Sequence, residues 1–437
     1  MPDVRLTAAE IREVWHILSA HERVEAFQHM DRAESDDFFL GISAREQAAI
    51  ILAMQNGERR LWFRLLAPDD AADVIQHVPQ SERAGLLEML DEPTRREVTA
   101  LLAYAEDAAG GLMSPRFARL RPEMTVGEAI RYLQRQAQEK LETIYYAYVL
   151  DQEQHLKGVV SFRDLFAAPG EKPLAEVMHN DVISVPDSMG QEAVAQVIAR
   201  HDLNALPVVD AEGRMKGIVT VDDIVDVVQQ AATEDIQKLG GMEALDTPYM
   251  QTSMRAMIKK RAGWLSALFL GEMLTASAMG HYEEEIAKAV VLALFVPLII
   301  SSGGNSGSQA TTLIIRAMAL GEVAIKDWWR IIRRELAAGL ALGLILATIG
   351  AIRILVWQGV FHTYGDHYGQ VVATVAVSLV GVVTWGTLAG SMLPFVIRRL
   401  GFDPASASAP FVATLVDVSG LVIYFNVAQV ILQGSLL

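Results

Sequence analysis

At 437 residues the chain is too long for one ordinary core, so several domains are expected. Its 37 Lys+Arg against 53 Asp+Glu leave a net charge of −16, a balance that repels nucleic acid and attracts cations. With no Cys there is no disulfide framework, zinc–thiolate site or cysteine nucleophile, and the first residues lack the basic-then-apolar pattern of a cleavable signal peptide. The charge is unevenly spread: from Lys260 onward there are 11 Lys+Arg and 10 Asp+Glu, which leaves a net −17 on the residues before it. An acidic, soluble-looking body precedes an apolar membrane body.

Residues 1 to about 105 read as consecutive helices with short polar breaks, among them Thr7–Ser19, Asp69–His77, Ser81–Met89 and Pro93–Tyr104. An α-helical bundle or short solenoid fits. Asp69 and Asp73, four apart, share one helix face where like charges repel, although acids just after Pro68 also suit a helix N-terminus.

An internal repeat follows. Val149-Leu150-Asp151 is succeeded by Gly158-Val159-Val160-Ser161-Phe162-Arg163-Asp164, and Val208-Val209-Asp210 at the same interval by Gly217-Ile218-Val219-Thr220-Val221-Asp222-Asp223. Upstream, Met113-Ser114-Pro115 matches Met178-His179-Asn180. Each copy predicts two short β-branched strands around a polar turn, then a helix capped by Ser161 or Thr220. The repeat resembles a tandem pair of CBS domains, regulatory modules that commonly bind adenine nucleotides or metal ions between the copies. That likeness implies ribose contacts from Ser161 and Asp164, and from Thr220 and Asp223; helix capping alone also accounts for the Ser and Thr.

From Val221 to about Met257 the pattern predicts helix, at least in pieces, leading to the first apolar span. Asp222, Asp223, Asp226, Glu234 and Asp235 cluster near its start, either as a solvated face or as a cation-sensitive coupling element. Segments long enough to cross a bilayer are predicted at about Trp264–Met279, Ile286–Ser302 running toward Ile315, Leu336–Trp357, Val371–Val396 and Ala409–Leu432. Lys259-Lys260-Arg261, then Arg316, Lys326, Arg330, Arg333 and Arg334, then Arg398-Arg399 mark one side, while the loops His281–Glu285 and Gln358–Gln370 hold no Lys or Arg. The positive-inside rule therefore expects a cytoplasmic N-terminal body and an external C-terminus.

Pro297 through Ala310 is polar and glycine-rich, so it must pack on protein or line a watery path; Asn305 and Gln309 share one face. Gly339-x-x-x-Gly343 and Gly386-x-x-x-Gly390 predict close helix packing. Asp417 is the single charge in the run Phe411–Leu432. A carboxylate at a bilayer centre costs about 2.5–3.5 kcal/mol on insertion scales, so it marks a functional site, most often a cation ligand or proton carrier. One carboxylate cannot cage Mg²⁺, but with a symmetry mate it can hold a hydrated ion by outer-sphere hydrogen bonds.

The Gly304-Asn305, Gln309 and Arg316-Ala317 positions, with Asp403-Pro404-Ala405, Pro410 and Asp417, resemble the MgtE family of magnesium channels over nearly the whole chain. The resemblance implies a multidomain fold: an α-helical N-terminal bundle or solenoid (1–110), a tandem α/β CBS pair (111–172 and 173–230), a connecting helix (231–259) and a five-helix transmembrane domain (260–437). It implies a homodimer in the plasma membrane of a prokaryote, surrounded by lipid, that imports Mg²⁺, with no enzymatic activity and no nucleic-acid partner. By the same likeness Asp417 holds hydrated Mg²⁺ in the pore, Asp69, Asp73, Asp222, Asp223, Asp226, Glu234 and Asp235 gather regulatory Mg²⁺ that closes the gate, Asp403 joins the metal set, and ATP at the CBS pair tunes the response. Ala409 and Ala231 stand where some members have polar or acidic residues, and Glu272 in the first span has no role to carry over. Two rival classes are a H⁺- or Na⁺-coupled carrier of Co²⁺ or Mn²⁺ and an intramembrane enzyme. Against the enzyme, the chain has no HExxH pair, and His281, His362 and His367 fall at the outer surface.

Overall fold

The structure is a computed structural model that describes residues 7–136, 141–143 and 145–433, and it divides into two units, Met1–Ala231 and Ala232–Leu437. The first unit opens with eight short helices, from Ala8–Val14 to Glu92–Leu101. Reciprocal capping boxes, Thr7 with Glu10 and Ser19 with Glu22, satisfy the orphan N–H groups at two of the starts. The helix expected over Thr7–Ser19 stops at Val14 because Ser19 caps the next one instead. Helix α1 (Pro68–His77) has Pro68 in its first turn, where the missing N–H costs nothing. Phe27, Phe38, Phe39, Phe63, Ile51 and Ile75 fill the core, which runs on through Met113 to Leu206 and Ile224.

The repeat folds as two three-stranded sheets of the same topology. In the first, β1 (Ala118–Leu120) is parallel to β2 (Tyr146–Leu150), which pairs antiparallel with β3 (Leu156–Ser161). In the second, β4 (Val185–Pro186), β5 (Ala205–Val209) and β6 (Met215–Thr220) repeat the pattern, with the register shift at the matching place. Each leading segment pairs with the other copy: Ser114 exchanges backbone hydrogen bonds with Ile218 (2.8 and 3.0 Å), and His179 with Val159 (2.8 and 3.0 Å). The copies are thereby stitched into one body. Gly158 and Gly217, equivalent in the repeat, are needed for this: a Cβ there would sit 2.8 Å from Met178 Sδ and 2.7 Å from the Ser114 carbonyl.

Helix α2 (Val221–Leu239) leaves β6 and ends where Gly241 takes a positive φ of 72°. The helical region expected up to residue 259 is therefore in two pieces, the second being the start of α3 (Met254–His281). After two short helices, Glu283–Lys288 and Val290–Ala293, come four long ones: α4 (Val296–Ala319), α5 (Trp328–Phe361), α6 (Tyr368–Arg399) and α7 (Ala409–Leu432). Among the described residues four stretches are long and apolar enough to cross a membrane: Val290–Ala319, Ile325–Phe361, Tyr368–Arg399 and Ala409–Leu432. Helix α3 has 28 residues and no buried one, and it carries charges at Arg255, Lys259, Lys260, Arg261 and Glu272.

Helix α6 packs against α4, α5 and α7, and α3 lies along α7. The glycine-rich stretch is continuous helix because its small residues meet small residues. A Cβ on Gly386 or Gly390 would fall on the carbonyl of Gly303 or Gly307, and one on Gly343 would sit 2.8 Å from the Val380 Cα. Contact this close lets Ser306 and Thr387 share a hydrogen bond (2.6 Å) and lets Thr311 Oγ1 donate to the Gly390 carbonyl (2.8 Å).

Candidate functional site

The first unit holds a buried group of acids. Asp69, 8 % exposed, has a carboxylate oxygen with no hydrogen-bond partner. Burial first, then the charges of Glu142, Asp70 and Asp223, lifts its carboxyl well above the ordinary carboxylate range. Burial, with Asp70, Asp223 and Glu106 beside it, pushes Asp73 up to about 7. Asp223 at the start of α2 is also pushed up to about 7 by burial and by Asp222, Glu142 and Asp70, against the lowering effect of the Thr220 hydroxyl that donates to it (2.8 Å). Carboxylates that raise one another so far, with a bare buried oxygen among them, suit a hard divalent cation, which takes oxygen ligands and displaces the protons.

The structure places Asp69, Asp73, Asp222 and Asp223 where they act on one another or, through Asp70, on a shared neighbour. Asp226 lies exposed on α2 outside this group. Glu234 and Asp235 belong to the second unit, where Glu234 accepts from Lys238 Nζ (3.3 Å). Asp70, Glu106 and Glu142 were not picked out from sequence. Asp70 carried a signal as the neighbour of Asp69, whereas Glu106 and Glu142 are placed only by the fold.

In the repeat, Ser161 Oγ donates to Asp164 Oδ2 (2.6 Å) and accepts from the Asp164 N–H (3.1 Å), and Thr220 Oγ1 likewise donates to Asp223 Oδ2 (2.8 Å). The local role of these residues is helix capping. Asp151, Glu153 and His155 bring ligand atoms within 4.8 Å of one another. Lys157 Nζ already holds Asp151 (3.1 Å), however, and the same turn in the second copy uses Arg214 and Lys216 on Asp210, so this group neutralises a turn.

In the second unit Asp417 is half-buried on α7, and the Gly304 position on α4 opens against it: a Cβ there would lie 3.5 Å from Asp417 Oδ1. Asn305 and Gln309 are exposed on α4, and the Ser308 hydroxyl donates to the Ala409 carbonyl (3.1 Å). Asp403 is occupied: Oδ2 takes Lys238 Nζ (2.8 Å) and Oδ1 accepts from the Ala405 N–H (2.9 Å). It therefore ties the end of α2 to the loop that leads into α7. Ser408 caps α7 and also accepts from the Trp264 indole of α3 (3.1 Å).

A paired α/β module ahead of apolar helices, with a carboxylate set into one of them, is the build of a membrane transporter. Family models agree along the chain: MgtE intracellular N domain over residues 6–107, CBS domain over 109–171 and 174–230, and MgtE divalent cation transporter over 296–427. The chain is similar to the magnesium transporter MgtE of Thermus thermophilus, with 40% identity over 97% of this chain and 93% of the relative. To that of Enterococcus faecalis it is 32% identical over 97% and 94%. It is also similar to a crystal structure of the cytosolic domain of the Mg2+ channel MgtE in complex with ATP, at 38% identity over 52% of this chain and 92% of that one, with a TM-score of 0.47. The chain belongs to the MgtE family of magnesium transporters.

Proposed function

We propose that this chain, as a homodimer, is a channel that imports Mg²⁺ across the plasma membrane of a prokaryote and closes when Mg²⁺ fills the acids of its cytoplasmic unit. Asp417 carries the reading: it is the carboxylate within the apolar run of α7, half-buried beside Gly304 of α4, where an added Cβ would lie 3.5 Å from its Oδ1. Helix α3 acts as the fifth span, with Lys259, Lys260 and Arg261 at its cytoplasmic end. The C-terminus is then external, and its residues 434–437 lie outside the described residues. The membrane potential supplies about 2.3 kcal/mol per charge per 100 mV for inward flow. The ion travels hydrated, because Mg²⁺ sheds water reluctantly and one carboxylate per protomer replaces few ligands.

In this reading Asp69, Asp73 and Asp223 with their acidic neighbours repel one another when Mg²⁺ is scarce, and the ion bridges them when it is plentiful. Asp222, Asp226, Glu234 and Asp235 add negative charge along α2, and Asp403 serves as a tether through Lys238 instead of as a ligand. Adenine nucleotide between the CBS copies, near Ser161, Asp164, Thr220 and Asp223, adjusts the Mg²⁺ level at which closure occurs.

The test is Mg²⁺ uptake into proteoliposomes under an inside-negative potential. Asp417→Asn abolishes uptake if the site is the pore, and unchanged uptake with unchanged ion preference removes the assignment. Flux that needs a H⁺ or Na⁺ gradient assigns the chain to coupled carriers instead.

A further inference from the structure

Glu272 is unused by the function described above, yet it stands at the depth of Asp417. Helices α3 and α7 run side by side in a constant register. Trp264 bonds Ser408 (3.1 Å), a Cβ on Gly271 would lie 2.6 Å from Thr414 Cγ2, Tyr282 stacks on Phe425 at 4.7 Å, and Glu285 accepts from Gln429 (2.9 Å). Each pair is separated by 143 or 144 residues, so α3 and the residues that follow it, Tyr282 to Glu285, run parallel to α7 without slipping. By that register Glu272 lies level with Leu415 or Val416, one or two residues short of Asp417, and one residue along a helix is about 1.5 Å.

The direction agrees with the depth. Gly271 and Thr414 face each other across the seam, and each residue turns a helix by about 100°. In two parallel right-handed helices, one step beyond the contact on α3 and three steps beyond it on α7 turn to the same flank. Those positions are Glu272 and Asp417. The two carboxylates interact electrostatically, Glu272 is exposed to that flank, and Gly304 of α4 lies against Asp417 there. One turn along α3, the hydroxyl oxygen of Thr275 is shielded from solvent and has no hydrogen-bond partner. A charge at this depth is too costly to leave against lipid, and an orphan hydroxyl beside it asks for a polar guest.

We infer that Glu272 is the second carboxylate of the conduction site, so that each protomer presents the ion with an acid from α3 and an acid from α7. The inference rests on the pore role of Asp417. The waters of hydrated Mg²⁺ are donors, and two carboxylates with the Thr275 oxygen offer acceptors on different helices. Four negative charges per dimer favour a divalent over a monovalent ion, since attraction scales with the product of charges.

The experiment compares Glu272→Gln, Glu272→Asp and Asp417→Asn in full-length protein in proteoliposomes, reading uptake against external Mg²⁺ and the inhibition of uptake by Na⁺. Glu272→Gln is expected to raise half-saturating Mg²⁺ about tenfold, the equivalent of one lost charge-assisted hydrogen bond. Na⁺ should then inhibit more strongly, and Glu272→Asp should recover most of both effects. Half-saturation unchanged in Glu272→Gln, with Asp417→Asn inactive, overturns the role of Glu272 and leaves the pore intact. Asp417→Asn fully active overturns the pore reading on which the inference rests. Equal defects in Glu272→Gln and Glu272→Asp, confined to the maximal rate, mark Glu272 as a packing residue and also overturn it.

Discussion

Removing the charge of Asp73 should make the transporter less sensitive to pH and to Mg²⁺ at once. Burial and the acids around it hold this carboxyl at about 7, against an ordinary 3.8. A carboxyl raised in the folded state stabilises the fold fully below its unfolded pKa, and that stability is lost as pH rises through the folded value. Linkage over those two values gives a loss of roughly 2–3 kcal/mol between pH 5 and pH 8. Asp223 is raised to about the same value and each acts on the other, so the two losses are coupled and do not simply add. The assay is thermal unfolding of the full-length protein in detergent with a chelator, following the transition of the first unit. The wild-type midpoint should fall from pH 5 to pH 8, and Mg²⁺ at pH 8 should restore it by replacing the protons. Asp73→Asn should flatten the pH dependence and reduce the gain from Mg²⁺. A wild-type midpoint that stays level over this range, or an equal Mg²⁺ gain in the variant, would refute the reasoning.

Gly390→Val, which drives a side chain into the Gly307 carbonyl, should cost at least about 3 kcal/mol and reduce the yield of folded protein, whereas Gly359→Ala, with nothing within 4 Å, should be neutral by size-exclusion profile and melting. Trp264→Phe deletes the hydrogen bond to Ser408 and part of the ring volume packed beside Phe411, and should cost at least about 1 kcal/mol, read as a lower midpoint of the membrane unit.

Much of this protein was legible in its sequence because the signals are local or periodic. Apolar length marked four of the spans, capping and turn chemistry marked the repeat, and the lone charge in Phe411–Leu432 marked Asp417. The glycine spacing at 386 and 390 named the close helix contact before its partners, Gly303 and Gly307, were known. The acids were harder to read, since a run of Asp on a helix looks the same whether it is solvated or buried. Only tertiary contact decided that Asp69 is closed off from water and that Glu106 and Glu142 join it. It also decided that Asp403 is spent on Lys238, an ion pair across 165 residues. Glu272 shows the same division. Its sequence position gave depth in a span and nothing more, because hydropathy is blind to rotation about the helix axis. The constant register of α3 on α7 sets that rotation, and with it the flank that Glu272 shares with Asp417.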